Sequence, residues 1–157
     1  MALYQRILVP VDGSPHARRA LDEAIALARL TGARVIVTHA IDEPFLALGA
    51  GAWIAGSVDL LGLLREGAAE ILGAARDVVT AAGVLVESVL LDTFDGRVCD
   101  LVVQAARTHQ ADLIVIGSHG RRGLSRALLG SDAEQILRLA PVPVLLVHAP
   151  VPPGAMS

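Results

Sequence analysis

The sequence contains no lysine: all 13 of its basic residues are arginine. A Walker-type phosphate loop needs a lysine at the β- and γ-phosphates, a protein kinase needs one on a strand, and Schiff-base chemistry needs an amine. The absence of lysine therefore excludes these three kinds of enzyme in their usual forms.

Cysteine and aromatic residues are scarce as well. Because Cys99 is the single cysteine, no disulfide can form within the chain, and we expect a reduced, cytoplasmic setting. Aromatic residues make up 3% of the chain and leave few surfaces on which nucleic-acid bases could stack. A net charge of −3 is also too balanced to favour nucleic acid or an anionic membrane as the partner.

The chain has enough apolar residues to bury a core of its own. Its 157 residues are 54% hydrophobic and 18% charged, which is typical of one compact domain. We therefore predict a single domain over 1–157, with a core over about 4–148 and a tail over 149–157.

Two stretches bear on targeting and membranes. The apolar stretch at the N-terminus is too short for a signal peptide. Residues 44–64 contain Asp59 as their one charge, but their uncharged part is shorter than the roughly 20 residues that a membrane span needs. We therefore expect no membrane span, and we interpret 44–58 as a buried or ligand-covering loop.

Short β-branched runs alternate along the chain with longer segments of helical periodicity. The runs that we interpret as strands lie at 7–11, 35–38, 84–91, 113–116 and 142–147. Four helical segments lie between them, and the fourth run is hydrophobic at every position, as in strands buried on both faces. The pattern predicts an α/β domain with a five-stranded parallel sheet.

Polar residues and glycine mark the ends of the helices. Ser14 is expected to cap the first helix and Gly32 to end it. Asp95 is expected to cap the third helix, and Ser131 with Glu134 three residues later is expected to form a capping box for the fourth.

A ligand site is expected beyond the carboxyl ends of the strands, where successive connections leave toward opposite faces. If the first and fourth strands are neighbours, the loop at 12–14 lies beside the loop that begins at Gly117. The segment 117–131 has glycines that let a ligand approach the backbone, and the helix amides from Ser131 form an anion site. Phosphate is the expected ligand, and the alternative is that these glycines serve only as turn residues.

The same residues resemble the universal stress protein family. The pattern Gly117-x2-Gly120-x9-Gly130-Ser131 matches the nucleotide-binding signature of that family. Segment 7–14 is similar to the family's first strand and loop, and 39–42 and 141–147 are similar to its second and last strands. The resemblance covers about 4–147, and only 44–58 lacks a match.

This resemblance implies a fold, a ligand and a site. The fold is a five-stranded parallel sheet in the order 3-2-1-4-5 with four helices, similar to the adenine nucleotide alpha hydrolases and usually dimeric. The ligand is ATP with Mg²⁺ in some members of the family. The implied nucleotide-binding positions are Pro10, Val11, Asp12, Ala40, Ile116, Gly117, His119, Gly120, Arg121, Gly130, Ser131, Asp132 and Ala133. Those in the first two strands and the loop after the first would surround adenine and ribose, and those from Ile116 onward would follow the sugar and the phosphates.

Asp132 departs from the family's pattern, which commonly has an apolar residue or threonine there. A carboxylate beside phosphate opposes binding, and Arg121, Arg122, Arg126 or a bridging Mg²⁺ could offset its charge. An acidic residue also suits the first turn of a helix.

Enzymatic alternatives have weaker support in the sequence. Asp12 lacks the acidic partner and the lysine of a phosphoacceptor site. A hydrolase triad of Asp12, Ser118 and His119 lacks the nucleophile elbow, because Ile116 takes the place of its first glycine. His39 and His119 are too few for a metal site. The residues His16, His109 and His148 are interpreted as surface residues.

The sequence thus predicts a small cytoplasmic ATP-binding regulatory protein that acts through nucleotide-dependent states, with no catalytic residue assigned. A slow ATPase or self-phosphorylating enzyme and a nucleotide-free interaction module remain alternatives.

The apolar fifth strand predicts a symmetric homodimer. In the implied order it lies at an edge of the sheet, where an open apolar strand invites pairing. Its residues are Val142, Pro143, Val144, Leu145, Leu146 and Val147. Pro143 must lie where no ladder donor is needed, and the alternative is a loop or the tail covering the edge.

Overall fold

The computed structural model describes residues 3–41, 60–92, 96–119 and 129–149. In these ranges five strands alternate with four helices, as the sequence predicts. The elements are β1 (Arg6–Pro10), α1 (Pro15–Thr31), β2 (Arg34–Ala40), α2 (Leu60–Ala81), β3 (Val86–Leu91), α3 (Val98–Thr108), β4 (Leu113–Gly117), α4 (Ser131–Leu139) and β5 (Val144–Val147).

The strands form one sheet in the order β3-β2-β1-β4-β5, and every neighbouring pair is parallel. The predicted fold and strand order are confirmed. β1 pairs with β2 on one side and with β4 on the other, so the direction of winding reverses between β1 and β4. This reversal is where a doubly wound sheet opens a crevice for ligands.

Helices cover both faces of the sheet because alternate strand residues point to opposite sides. Ile7 and Val9 join a core cluster with buried residues of α1 and α2. Leu8, which lies between them, joins a second cluster with buried residues of α3 and α4. The central strands are therefore apolar at consecutive positions.

The predicted ends of α1 are confirmed. The Ser14 hydroxyl accepts a hydrogen bond from the amide of Ala17 at 3.2 Å. Gly32 ends the helix in the left-handed conformation, with a φ of 75°.

The predicted caps of α3 and α4 need correction. At α3 the capping position is Arg97, whose side chain makes no capping bond, and Asp95 lies outside the described residues. At α4 the capping position is Gly130, whose carbonyl accepts from the amide of Glu134 at 2.9 Å. Ser131 is therefore the first helical residue and no capping box forms, so that prediction is wrong.

β5 is shorter than predicted because it starts after Pro143. The Pro143 carbonyl accepts from the amide of Ile114 at 3.0 Å, and the paired register begins at Val144. The carbonyl of Pro143 thus takes part in the sheet, while the N–H that proline lacks is not needed at this position.

In the described ranges no helix combines the length and apolar character needed to cross a bilayer. The loop predicted at 44–58 lies outside these ranges.

Candidate functional site

The structure brings most of the predicted site residues together at the carboxyl ends of the central strands. Pro10, Val11 and Asp12 stand at the carboxyl end of β1, Ala40 ends β2, Ile116 and Gly117 end β4, and His119 follows. The residues Gly130, Ser131, Asp132 and Ala133 open α4. The Gly130 amide donates to the carbonyl of Ser118 at 2.9 Å, which joins the start of α4 to the end of β4. Gly120, Arg121, Arg122 and Arg126 lie outside the described residues.

The loop from β1 to α1 is shaped by hydrogen bonds of its own. The carboxylate oxygen Oδ1 of Asp12 accepts from the amide of Ser14 at 2.8 Å. The Val11 amide donates to the carbonyl of Thr38, and the Val11 carbonyl accepts from Nδ1–H of His39, both at 2.7 Å. Asp12 therefore has a structural task, holding the start of α1 in place, besides the ligand contact predicted for it.

Gly117 is where α1 rests on β4. A Cβ at this position would lie 2.8 Å from the backbone carbon and oxygen of His16 and 2.9 Å from its Cβ. The close packing of α1 therefore requires glycine here, a reason that the sequence did not indicate. The ligand contact predicted for Gly117 stays a prediction.

Two histidines meet at Ser118, whose residue is 1% exposed. The Ser118 hydroxyl lies 3.1 Å from Nδ1 of His119 and 3.5 Å from Nδ1 of His16. The two rings are 5.1 Å apart and inclined by 56°. His16, interpreted from the sequence as a surface residue, is half-buried and lies beside the carboxyl end of β4.

The surroundings of His16 favour its neutral form. Burial lowers the pKa of His16 below its ordinary value of 6.5, and the neighbouring His119 lowers it further. Asp12 acts in the opposite direction, and His148 contributes a small further decrease of this pKa.

We therefore expect the protonation midpoint of His16 to lie below 6.5 in the folded protein, and to rise when His119→Gln removes the neighbouring ring. As the pH falls below about 6.5, the unfolded chain takes up this proton first, so the stability contribution of neutral His16 is lost. Titration of the histidine ring signals by NMR would check both points. A midpoint at or above 6.5 in the wild-type protein would contradict them.

Asp132 in α4 interacts electrostatically with Arg97 at the start of α3. Nε–H of Arg97 donates a hydrogen bond of 3.0 Å to the carboxylate of Asp100, which raises the pKa of Arg97, and Asp132 adds a smaller increase. Arg97 is thus a cation within electrostatic reach of Asp132. Sequence reasoning missed it because 35 positions, 132 minus 97, separate the two residues.

The sequence also raises two alternatives, a hydrolase triad at Ser118 and a metal site. The Ser118 hydroxyl has histidine beside it, but Ile116 stands where a nucleophile elbow has its first glycine. Among the described residues, no group of three or more histidine, cysteine, aspartate or glutamate side chains is arranged to hold a metal ion.

A cavity of about 320 Å³ opens between α1 and α2. Most of its lining is apolar, with Arg18 and Glu70 as its charged residues. It lies on the face of α1 and α2, whereas α3 and α4 cover the face of Leu8 and Ile116. Of the predicted nucleotide positions that the structure describes, Val11 is the one that lines the cavity, and Ile116 lies on the opposite face of the sheet.

The sheet order and the paired helices on each face define a doubly wound α/β protein, whose switch point lies between β1 and β4. The chain belongs to the universal stress protein family, whose model matches residues 3–148. A universal stress protein of Methanocaldococcus jannaschii is 36% identical over 150 residues, which are 94% of this chain and 84% of the relative.

Solved structures share the fold. The structure of hypothetical protein MJ0577 superposes with a TM-score of 0.80 at 28% identity, over 95% of this chain and 99% of the other. A universal stress protein in complex with cAMP gives a TM-score of 0.63 at 29% identity, over 92% and 97% of the two chains. One from Archaeoglobus fulgidus in complex with dAMP gives 0.63 at 26% identity, over 93% and 98%.

Proposed function

We propose that this protein binds an adenine nucleotide, ATP with Mg²⁺, at the carboxyl edge of β1 and β4, and that it regulates through nucleotide-dependent states in the cytoplasm. The observation that carries the proposal is the hydrogen bond from Gly130 to Ser118. This bond sets the first turn of α4 beside the switch point of the sheet. The unpaired amides at the start of a helix form a natural phosphate site.

The residues divide into a base side and a phosphate side. Pro10 and Ala40 belong to the strand ends and would surround the base and ribose, and Ile116 at the end of β4 would follow the sugar toward the phosphates. The amides of Ser131 and Ala133 would bind the phosphates, and Gly130, whose own amide donates to Ser118, would let them approach the backbone. Bound Mg²⁺ would offset part of the phosphate charge. Gly120 and Arg121 belong to the proposed site as well. Structures of similar proteins with cAMP and dAMP support an adenine nucleotide as the ligand.

Binding without rapid turnover is favoured by the surroundings of Ser118. This hydroxyl has a histidine nitrogen at 3.1 Å, as a self-phosphorylating enzyme would need, but Ile116 takes the place of the first glycine of a nucleophile elbow. A regulatory role needs only that the nucleotide binds one conformation better than another.

Mass spectrometry of the ligand released from freshly purified protein, followed by calorimetry with ATP and Mg²⁺, tests the proposal directly. We expect an adenine nucleotide in the extract and saturable binding in the titration. A protein that binds no adenine nucleotide at about 1 mM would contradict the proposal.

Removing the charge of Asp132 should tighten binding. Asp132→Asn is expected to raise the affinity for ATP about three- to tenfold at low salt, because a carboxylate about 4 Å from a phosphate charge costs about 1 kcal/mol in water and more at a shielded surface. Calorimetry at two salt concentrations measures the effect.

Glu134→Gln provides the control for Asp132. It removes a charge from the same turn of α4, and the carboxylate of Glu134 lies 2.8 Å from the guanidinium of Arg138, one turn further from the start of the helix. We expect its effect on ATP affinity to be small. An Asp132→Asn variant that binds ATP no more tightly than the wild type would mean that this carboxylate serves only the helix dipole.

We also propose that the protein is a symmetric dimer through β5. This strand forms one edge of the sheet, and the side chain of Leu145 is 37% exposed there. A two-fold partner would close that edge without leaving another one open.

A further inference from the structure

The side chain of Thr38 is buried without a hydrogen-bond partner. Thr38 is 0% exposed, and in the part of the chain that the structure describes its Oγ1 is the only buried side-chain polar atom that lacks a partner. Almost all buried polar groups in proteins are paired, because an unpaired one loses its bonds to water without replacement. Valine has the same shape and would avoid this loss, so the hydroxyl calls for another explanation.

Thr38 lies on the face of the sheet that carries the proposed base side. It is in register with Pro10 on β1, and Ala40 lies two residues further along β2 on the same face. The register partner of Ala40 is Leu91, which packs against the core cluster of α3 and α4. Pro10, Thr38 and Ala40 therefore form one surface at the carboxyl end of β1 and β2.

The distances between strands and between residues of one strand would place a nucleotide base that lies on this surface close to the hydroxyl of Thr38. Neighbouring strands are about 4.8 Å apart, and residues two apart along a strand are separated by about 6.6 Å. Ala40 ends in a methyl group, so its side chain fills little of the space between Thr38 and the edge of the sheet. The side chains that cover Thr38 must move apart for a base to reach it, and the resulting contact would be shielded from water.

We infer that the Thr38 hydroxyl is a hydrogen-bonding group for the purine base and a specificity-determining residue of the nucleotide site. The inference rests on the proposed function. A hydroxyl can donate to a ring nitrogen of adenine and accept from its exocyclic amine, so it suits the edge of the base and adds nothing to phosphate binding. The hydroxyl therefore lowers the stability of the fold and contributes to recognition of the base.

Calorimetry with two probes tests the inference. Thr38→Val is expected to weaken ATP binding about five- to tenfold and to leave the binding of inorganic tripolyphosphate unchanged, because tripolyphosphate has no base. Thr38→Ser keeps the hydroxyl and should bind ATP within about twofold of the wild type.

Thermal unfolding supplies a second measurement. Thr38→Val should raise the Tm, since it removes an unpaired buried group. The matched control is Thr31→Val: the Thr31 hydroxyl donates to the carbonyl of Leu27 at 2.9 Å, so its loss should lower the Tm and leave ATP affinity unchanged.

Each outcome decides between the inference and its alternatives. A Thr38→Val protein that binds ATP as tightly as the wild type overturns the role of Thr38 and leaves the nucleotide site standing. Equal losses for ATP and tripolyphosphate, or a lower Tm as in Thr31→Val, also overturn it, because they indicate distortion or a partner within the fold. A wild-type protein that binds no adenine nucleotide overturns the proposed function itself.

Discussion

Gly117→Ala is expected to destabilise the protein by about 3 kcal/mol. The added Cβ would lie 2.8 Å from two backbone atoms of His16, a separation that real contacts do not reach. Backbone in the first turn of a capped helix cannot rotate away as a flexible side chain can, so α1 must shift on β4. Denaturant unfolding measures the change in the free energy of unfolding.

Gly73→Ala is the control for this prediction. Gly73 lies within α2, and a Cβ there would have no atom within 4 Å. Alanine is the better helix former, so this variant should be more stable by up to about 1 kcal/mol. A Gly117→Ala protein as stable as the wild type would contradict the packing described for α1.

Light scattering of the wild-type protein is expected to give about twice the chain's 16.3 kDa, and Leu145→Arg should give the single-chain mass. β5 and β3 are the two edge strands of the sheet. β3 carries the charged and exposed Glu87, a common protection against pairing, whereas β5 consists of Val144, Leu145, Leu146 and Val147. An arginine facing the partner strand would place two like charges across the two-fold axis.

Leu30→Arg is the matched control for the dimer. It introduces the same charge at a leucine that is 84% exposed near the end of α1 and is not part of the edge strand. We expect this variant to remain dimeric. A wild-type protein that is monomeric at tens of micromolar, or a Leu30→Arg protein that dissociates like Leu145→Arg, would contradict a dimer through β5.

The elements of this fold could be predicted because their signals are local. Consecutive apolar residues at 113–116 indicate a strand buried on both faces, and Ser14 followed by Pro15 marks the start of a helix within three residues of sequence. The strand order came from the resemblance to a family, because periodicity says which segments are strands and not which strands are neighbours.

The details of the candidate site could not be predicted, because they depend on contacts between distant segments. The capping box predicted at α4 fails by one residue, since Gly130 takes the capping position and Ser131 is already the first helical residue. The contact of His16 with Gly117 joins segments about 100 positions apart. The missing partner of Thr38 likewise becomes visible only when all of its neighbours are in place.

The pairing of β1 with β4 has a consequence for synthesis of the protein on the ribosome. A nascent chain that ends within α3 can already pair β1, β2 and β3, but β1 is then an edge strand. Its apolar residues Ile7, Leu8 and Val9 are buried in the complete sheet and would face the open edge of this intermediate. The interval between translation of α3 and docking of β4 is therefore the period in which the growing chain is most exposed to aggregation and most dependent on chaperones.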